Sequence, residues 1–175
     1  MKRGFSLIET LVATAIIVMA ATGPLALAAR SLGQANYIKD QIVATFLAQE
    51  GLEIMRNVRD VNGITAISGF QLGACSSIGT GCTVSGTKLN TDGKTYEVLP
   101  ATSNPQFLKF SPVTNVYDYT TDSGTANSIY SRIIKIDPPP SGGKEYKIHS
   151  KVTWTRASGP RSVDLTENLF ERTKW

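Results

Sequence analysis

One histidine, His149, and two cysteines, Cys75 and Cys82, are all the imidazole and thiol that 175 residues supply. Together they fall short of a four-ligand zinc site, and no acidic cluster stands at ligand spacing beside them, so no metal is expected. A nucleotide fingerprint is missing as well. Gly93-Lys94-Thr95 has the end of a phosphate loop, but Gly86 lies seven residues before Gly93, where the wrap around a phosphate needs five. Ser85-Gly86-Thr87-Lys88 fits Ser-x-x-Lys, yet it sits in a Gly-rich stretch with neither Ser-Asp-Asn nor Lys-Thr-Gly after it. An enzyme therefore has little support, and no cofactor is expected.

Charge is scarce in one place above all. From Phe5 to Ala29 run 25 residues with a single ionisable side chain, Glu9. At ~1.5 Å of rise per residue that run crosses a hydrocarbon core of ~30 Å, so it reads as a transmembrane helix. Lys2 and Arg3 precede it, which by the positive-inside tendency keeps the N-terminus in the cytoplasm and exports the chain beyond Arg30. A carboxylate one turn into such a helix costs a few kcal/mol and calls for a partner or a function, unless it stays hydrated at the headgroups.

The opening Gly4-Phe5-Ser6-Leu7-Ile8-Glu9, behind a short basic leader and ahead of an apolar run, resembles the class III signal of type IV prepilins and type II secretion pseudopilins. The resemblance implies that prepilin peptidase cuts between Gly4 and Phe5 and methylates the new amine of Phe5, Gly4 leaving room at the scissile bond. It also implies that Glu9 pairs with the Phe5 amine of a neighbouring subunit, a contact strong in low dielectric and costly to either charge alone. Pro24, after Gly23, would be the helix breaker that these filament families often carry mid-segment; a tolerated membrane proline is the plainer reading. The implied partners are other pilin or pseudopilin subunits, prepilin peptidase, the inner-membrane assembly platform and, before assembly, the membrane. Loss of residues 1–4 takes Lys2 and Arg3 from 18 basic residues, leaving 16 against 14 acidic and a balance of +2, which weakens any argument for nucleic acid from charge. A rival reading is an ordinary signal peptide ending at Ala26-Leu27-Ala28, which meets the small-x-small rule.

Beyond Arg30 the helical signal goes on. Leu32, Ala35, Ile38, Ile42, Phe46, Leu47, Ile54, Met55, Val58 and Val61 recur at steps of three and four, predicting one amphipathic stripe that ends at Asn62-Gly63. Within it Ala44 to Ile54 resembles a segment of the minor pilin and type II pseudopilin branch. Residues 62–93 read as a loop region, in which Cys75 and Cys82, exported and seven apart, are expected to form a disulfide closing a surface loop, with free thiols as the alternative. Residues 94–171 read as an antiparallel sheet. Strands are expected at Lys94 to Leu99, Ser128 to Ile136, Glu145 to Arg156 and Arg161 to Leu169. The third is clearest, with Tyr146, Ile148, Val152 and Trp154 alternating with polar residues, among them His149.

The fold class expected is α+β: a long N-terminal helix, transmembrane over 5–29 and amphipathic over 30–61, on a C-terminal antiparallel sheet. The leading function is a structural subunit, a minor pilin of a type IV pilus or a secretion pseudopilus. Exposed Lys147, Lys151, Arg156 and Arg161 motivate a second, a tip adhesin or DNA-binding subunit, and a secreted or membrane-anchored enzyme is the third.

Overall fold

The computed structural model describes residues 6–73, 75–76, 79–89, 96–101, 106–119, 124–140, 143 and 145–171. Their contacts divide the chain into two units, Met1–Gln41 and Ile42–Trp175. Helix α1 (Leu7–Asn62) enters both. In the first unit it stands without a covering layer, and none of its most apolar stretch is buried. That helix is long and apolar enough to cross a membrane.

In the second unit α1 continues onto a sheet. Gly63, at φ 79°, ends it, its N–H bonding to Arg59 O at 2.7 Å, and α2 (Ile64–Leu72) comes next. The strands are β1 (Cys82–Leu89), β2 (Tyr96–Pro100), β3 (Phe107–Ser111), β4 (Val116–Asp118), β5 (Ala126–Asp137), β6 (Glu145–Arg156) and β7 (Gly159–Phe170). All pair antiparallel. β5 is the axis: β6 runs along one edge, while β3 and β1 share the other, β3 beside its first half and β1 meeting it at Cys82↔Ile134. β7, β4 and β2 then lie outside β6, β3 and β1. This is the α+β arrangement of type IV pilins, a long apolar helix packed on a seven-stranded antiparallel sheet.

The predicted strand Glu145 to Arg156 is β6 to the residue, with Tyr146, Ile148, Val152 and Trp154 buried. The predicted first strand corresponds to β2, Tyr96–Pro100; its expected first residue, Lys94, lies outside the described residues. Three expectations are corrected. The loop region 62–93 contains α2 and β1, and the sheet also has β3 and β4. The single helix stripe is two: Leu47, Ile54, Met55 and Val58 are buried, but Leu32, Ile38, Ile42, Phe46 and Val61 are exposed. Ile42 and Phe46 lie about 200° of helical turn from Ala44 and Ala48, and the sheet covers the face that holds Ala44, Leu47 and Ala48.

Gly51 explains that choice. A Cβ built there would lie 2.6 Å from Ser150 Oγ, 2.9 Å from Ile134 Cδ1 and 3.1 Å from Arg132 Cδ, so the helix approaches β5 and β6 more closely than any side chain allows. Arg132, 1% exposed, fills the seam. Its Nη1 donates to Leu47 O at 2.9 Å and to Glu50 Oε2 at 2.8 Å, and Nη2 donates to Val84 O at 2.8 Å, binding helix, β1 and β5 through one guanidinium. Tyr119 backs the same strand, its hydroxyl donating to Arg132 O at 2.5 Å and accepting from Arg132 N at 3.2 Å. Farther along the helix Arg56 Nε donates to Glu167 Oε1 on β7 at 2.6 Å, a bond that raises the Arg56 pKa. Two apolar clusters flank the seam, one around Met55, Ile134 and Ile148, the other around Leu47, Leu108 and Trp154.

Two outcomes are expected for the full chain in detergent. Gly51→Val should lower thermal stability by about 1–3 kcal/mol through overpacking, whereas Gly69→Ala, in α2 with open space around the added carbon, should hold or raise it; equal midpoints for the two variants would contradict the close approach. Burial, partly offset by the Arg132 charge, pushes the Tyr119 phenol up to about 12. Between about 10 and 12 the unfolded chain therefore holds fewer protons than the folded one, and stability present below pH ~10 is lost as pH rises. Denaturant titrations across that range should show a steeper alkaline decline for wild type than for Tyr119→Phe.

Candidate functional site: the N-terminal helix

The first turn of α1 opens with Ser6, whose carbonyl accepts from the N–H groups of Glu9 and Thr10 at 3.0 and 3.2 Å. Glu9 stands exposed in that turn, where a carboxylate also complements the positive end of the helix. The other polar side chains of the run turn inward on the helix itself. Thr10, Thr14 and Thr22 donate their hydroxyls to Leu7 O, Leu11 O and Met19 O at 2.8, 3.0 and 2.9 Å, which satisfies them in lipid without a partner. Glu9 is thus the conspicuous ionisable group between Ser6 and Ala29. Pro24 sits inside α1 without ending it; its missing N–H falls fifteen residues beyond Glu9, too far along the helix to belong to the same contact. Gly4 and Phe5, the expected processing residues, lie outside the described residues.

Residues 1–23 match the family model of the prokaryotic N-terminal methylation motif. The chain opens with the type IV pilin signal. Neither a curated protein nor a solved structure matches it. The methylation motif belongs to a structural family, and it supports a type IV pilin-like or pseudopilin precursor that meets other pilin subunits and prepilin peptidase.

The sheet domain behind this pilin signal bears on the remaining expectations. Lys147 and Lys151 point to the outer face of β6. Arg161 is the register partner of Trp154, and Arg156 lies two residues beyond Trp154, so both arginines project from the opposite, inner face. The basic patch is split, and the outer lysines are interleaved with Asp137 and Asp164. His149 is on the polar face as expected, but it is not simply solvated. Its Nε2 lies 3.0 Å from Asp137 Oδ2 and its Nδ1 3.7 Å from Asp164 Oδ1, so both ring nitrogens face carboxylates. The signal for this was the register: Asp137 and Asp164 share the outer face with His149 across adjacent strands. Among the described residues no group of three or more His, Cys, Asp or Glu side chains could hold a metal ion.

Cys75 and Cys82 are bridged. The expected surface position is corrected, because both are 0% exposed and belong to the main apolar cluster. Cys75 O also accepts from Ile136 N at 2.8 Å, tying the exit of α2 to the end of β5. Closing a loop this short restricts the unfolded chain by roughly 2–3 kcal/mol. Cys82→Ser should therefore lower the unfolding free energy by about that amount, and intact mass under non-reducing conditions should fall two hydrogens below the reduced chain; two alkylatable thiols in native protein would contradict the bridge.

Proposed function

We propose that this chain is a subunit of an extracytoplasmic filament, a minor pilin of a type IV pilus or a pseudopilin of the related secretion machine, assembled through α1. The observation that carries the reading is the methylation motif on residues 1–23 running directly into an uncovered apolar helix. In this reading prepilin peptidase cuts between Gly4 and Phe5. The freed and methylated Phe5 amine meets Glu9 of a neighbouring subunit, where low dielectric makes the pair strong and either charge alone expensive. The pair sets the axial register between subunits. Pro24 loosens the middle of the helix so that neighbours can pack. Before assembly the same helix anchors the protein in the inner membrane at the assembly platform, N-terminus inside and sheet domain exported.

Exposed Ile42 and Phe46 extend the apolar surface available to neighbouring helices past the membrane run. Support for the minor branch comes from the Ala44 to Ile54 segment, although Glu50 and Gly51 within it serve the seam with the sheet. The split basic face gives no comparable support to a DNA-binding tip subunit.

Gly4→Leu should crowd the scissile bond and leave an inserted, unprocessed precursor. Glu9→Val should be cut normally and inserted, yet be lost from filaments because the Phe5 amine has no counter-charge. N-terminal mass spectrometry beside filament recovery distinguishes them. A mature chain beginning at Ala29 or Arg30 would discard the filament helix and refute the proposal.

A further inference from the structure

Four buried side-chain atoms have no hydrogen-bond partner among the described residues: Ser131 Oγ, Arg132 Nε, Ser150 Oγ and Glu167 Oε2. Ser131 precedes Arg132 on β5 and so faces the other side of the sheet. The remaining three lie in a line. In register Ile134 stands beside Ser150 and Ser150 beside Leu165, while Arg132 stands beside Val152 and Glu167 beside Ile148. Arg132, Ser150 and Glu167 therefore follow one diagonal across β5, β6 and β7, on the face that α1 covers. Gly51 sits over its middle, with Ser150 Oγ and Arg132 Cδ both beside the point where a Cβ would stand.

The hydrogen-bonding sense along this diagonal is consistent. Arg132 Nε–H can only donate, a carboxylate oxygen such as Glu167 Oε2 can only accept, and the Ser150 hydroxyl does both. The charged ends are otherwise engaged: the Nη atoms of Arg132 donate to Leu47 O, Glu50 and Val84 O, and Glu167 Oε1 accepts from Arg56 Nε. Diagonal neighbours stand about 7–8 Å apart between backbones. A serine hydroxyl is too short to close that gap, whereas a water with a bond of ~2.8–3.0 Å on either side spans it. Ser150 is 0% and Arg132 1% exposed, so bulk solvent does not serve them. Polar atoms at that depth call for an ordered partner, and a buried water typically makes about three hydrogen bonds to such groups.

We propose that the seam beneath Gly51 is a hydration site, with a water between Arg132 Nε and Ser150 Oγ and another between Ser150 Oγ and Glu167 Oε2. Donation then runs one way, from guanidinium through water and hydroxyl to carboxylate. Joined to the ion pairs at its ends, this line is a polar strap that leaves α1 at Glu50, passes beneath the helix through Arg132, Ser150 and Glu167, and returns to α1 at Arg56. Glu50 and Arg56 stand on opposite flanks of the helix, about 100° and 140° of turn from Gly51. The strap belongs to the join of helix and sheet and does not depend on filament assembly.

The test uses the full chain in detergent micelles. Nitrogen-edited rotating-frame Overhauser spectra, with the Arg132 Nε–H signal assigned through its bonded Cδ, should show a cross-peak to a long-lived water. In Ser150→Ala that cross-peak should weaken, and denaturant titration should give a folding equilibrium constant lower by about 5-fold or more, because the waters lose the hydroxyl that links them. A hydroxyl buried without a partner predicts the reverse: alanine would then remove an uncompensated polar group and hold or raise stability. Absence of a long-lived water at Arg132 Nε–H, or a Ser150→Ala chain as stable as wild type or more so, would each overturn the site.

Discussion

The helix and the sheet of the second unit meet where one side chain is missing. Gly51 removes the atoms that would otherwise hold α1 off β5 and β6, and the distances to Ser150, Ile134 and Arg132 leave no space for a Cβ. Glycine is a poor residue for the middle of a helix, costing about 1 kcal/mol relative to alanine. Here the cost is offset by what close approach permits: Ala44, Leu47, Ala48, Met55 and Val58 all reach the sheet, and a buried guanidinium reaches helix carbonyl and carboxylate together. A larger residue at 51 would separate all of these contacts at once.

Arg132 turns that proximity into specificity. A buried cation is tolerable only when hydrogen bonds and a counter-charge replace water, and although Nε is left without a protein partner, three bonds reach Nη1 and Nη2 from two elements distant in sequence, the α1 stretch at Leu47 and Glu50 and β1 at Val84. Sliding the helix by one turn along the sheet would strand the charge. The apolar clusters on either side could adapt to such a slip, but the guanidinium could not.

How much of this was legible in the chain depends on how complete each local pattern is. β6 alternates without a fault from Tyr146 to Trp154, so its limits and buried face could be read directly. The long helix and its end at Gly63 were equally plain. By contrast α2 carries Ser68 and Gly69, and β1 carries Ser85 and Gly86; these residues imitate a loop, and burial overrides their weak propensities. The stripe failed for a different reason. Two apolar lines share one helix, and hydrophobicity alone could not separate Ile42 and Phe46, which stay exposed, from Leu47, Ile54, Met55 and Val58, which the sheet covers. Arg132 shows the same limit, since its place in line with Tyr130, Ile134 and Ile136 marks its strand face as buried, but its partners lie far away in sequence.

The pairing of β5 has a mechanical meaning. Arg132 fastens α1 to the strand that has neighbours on both edges, not to β2, β4 or β7, which have a neighbour on one side among the described residues. Tension carried by the helix therefore enters the sheet at its best-supported strand and spreads into β6, β3 and β1 before it reaches any margin. β7 shares in that load through Arg56 and Glu167, but β2 and β4 lie off it, and those two strands are free to diversify without loosening the join of helix to sheet.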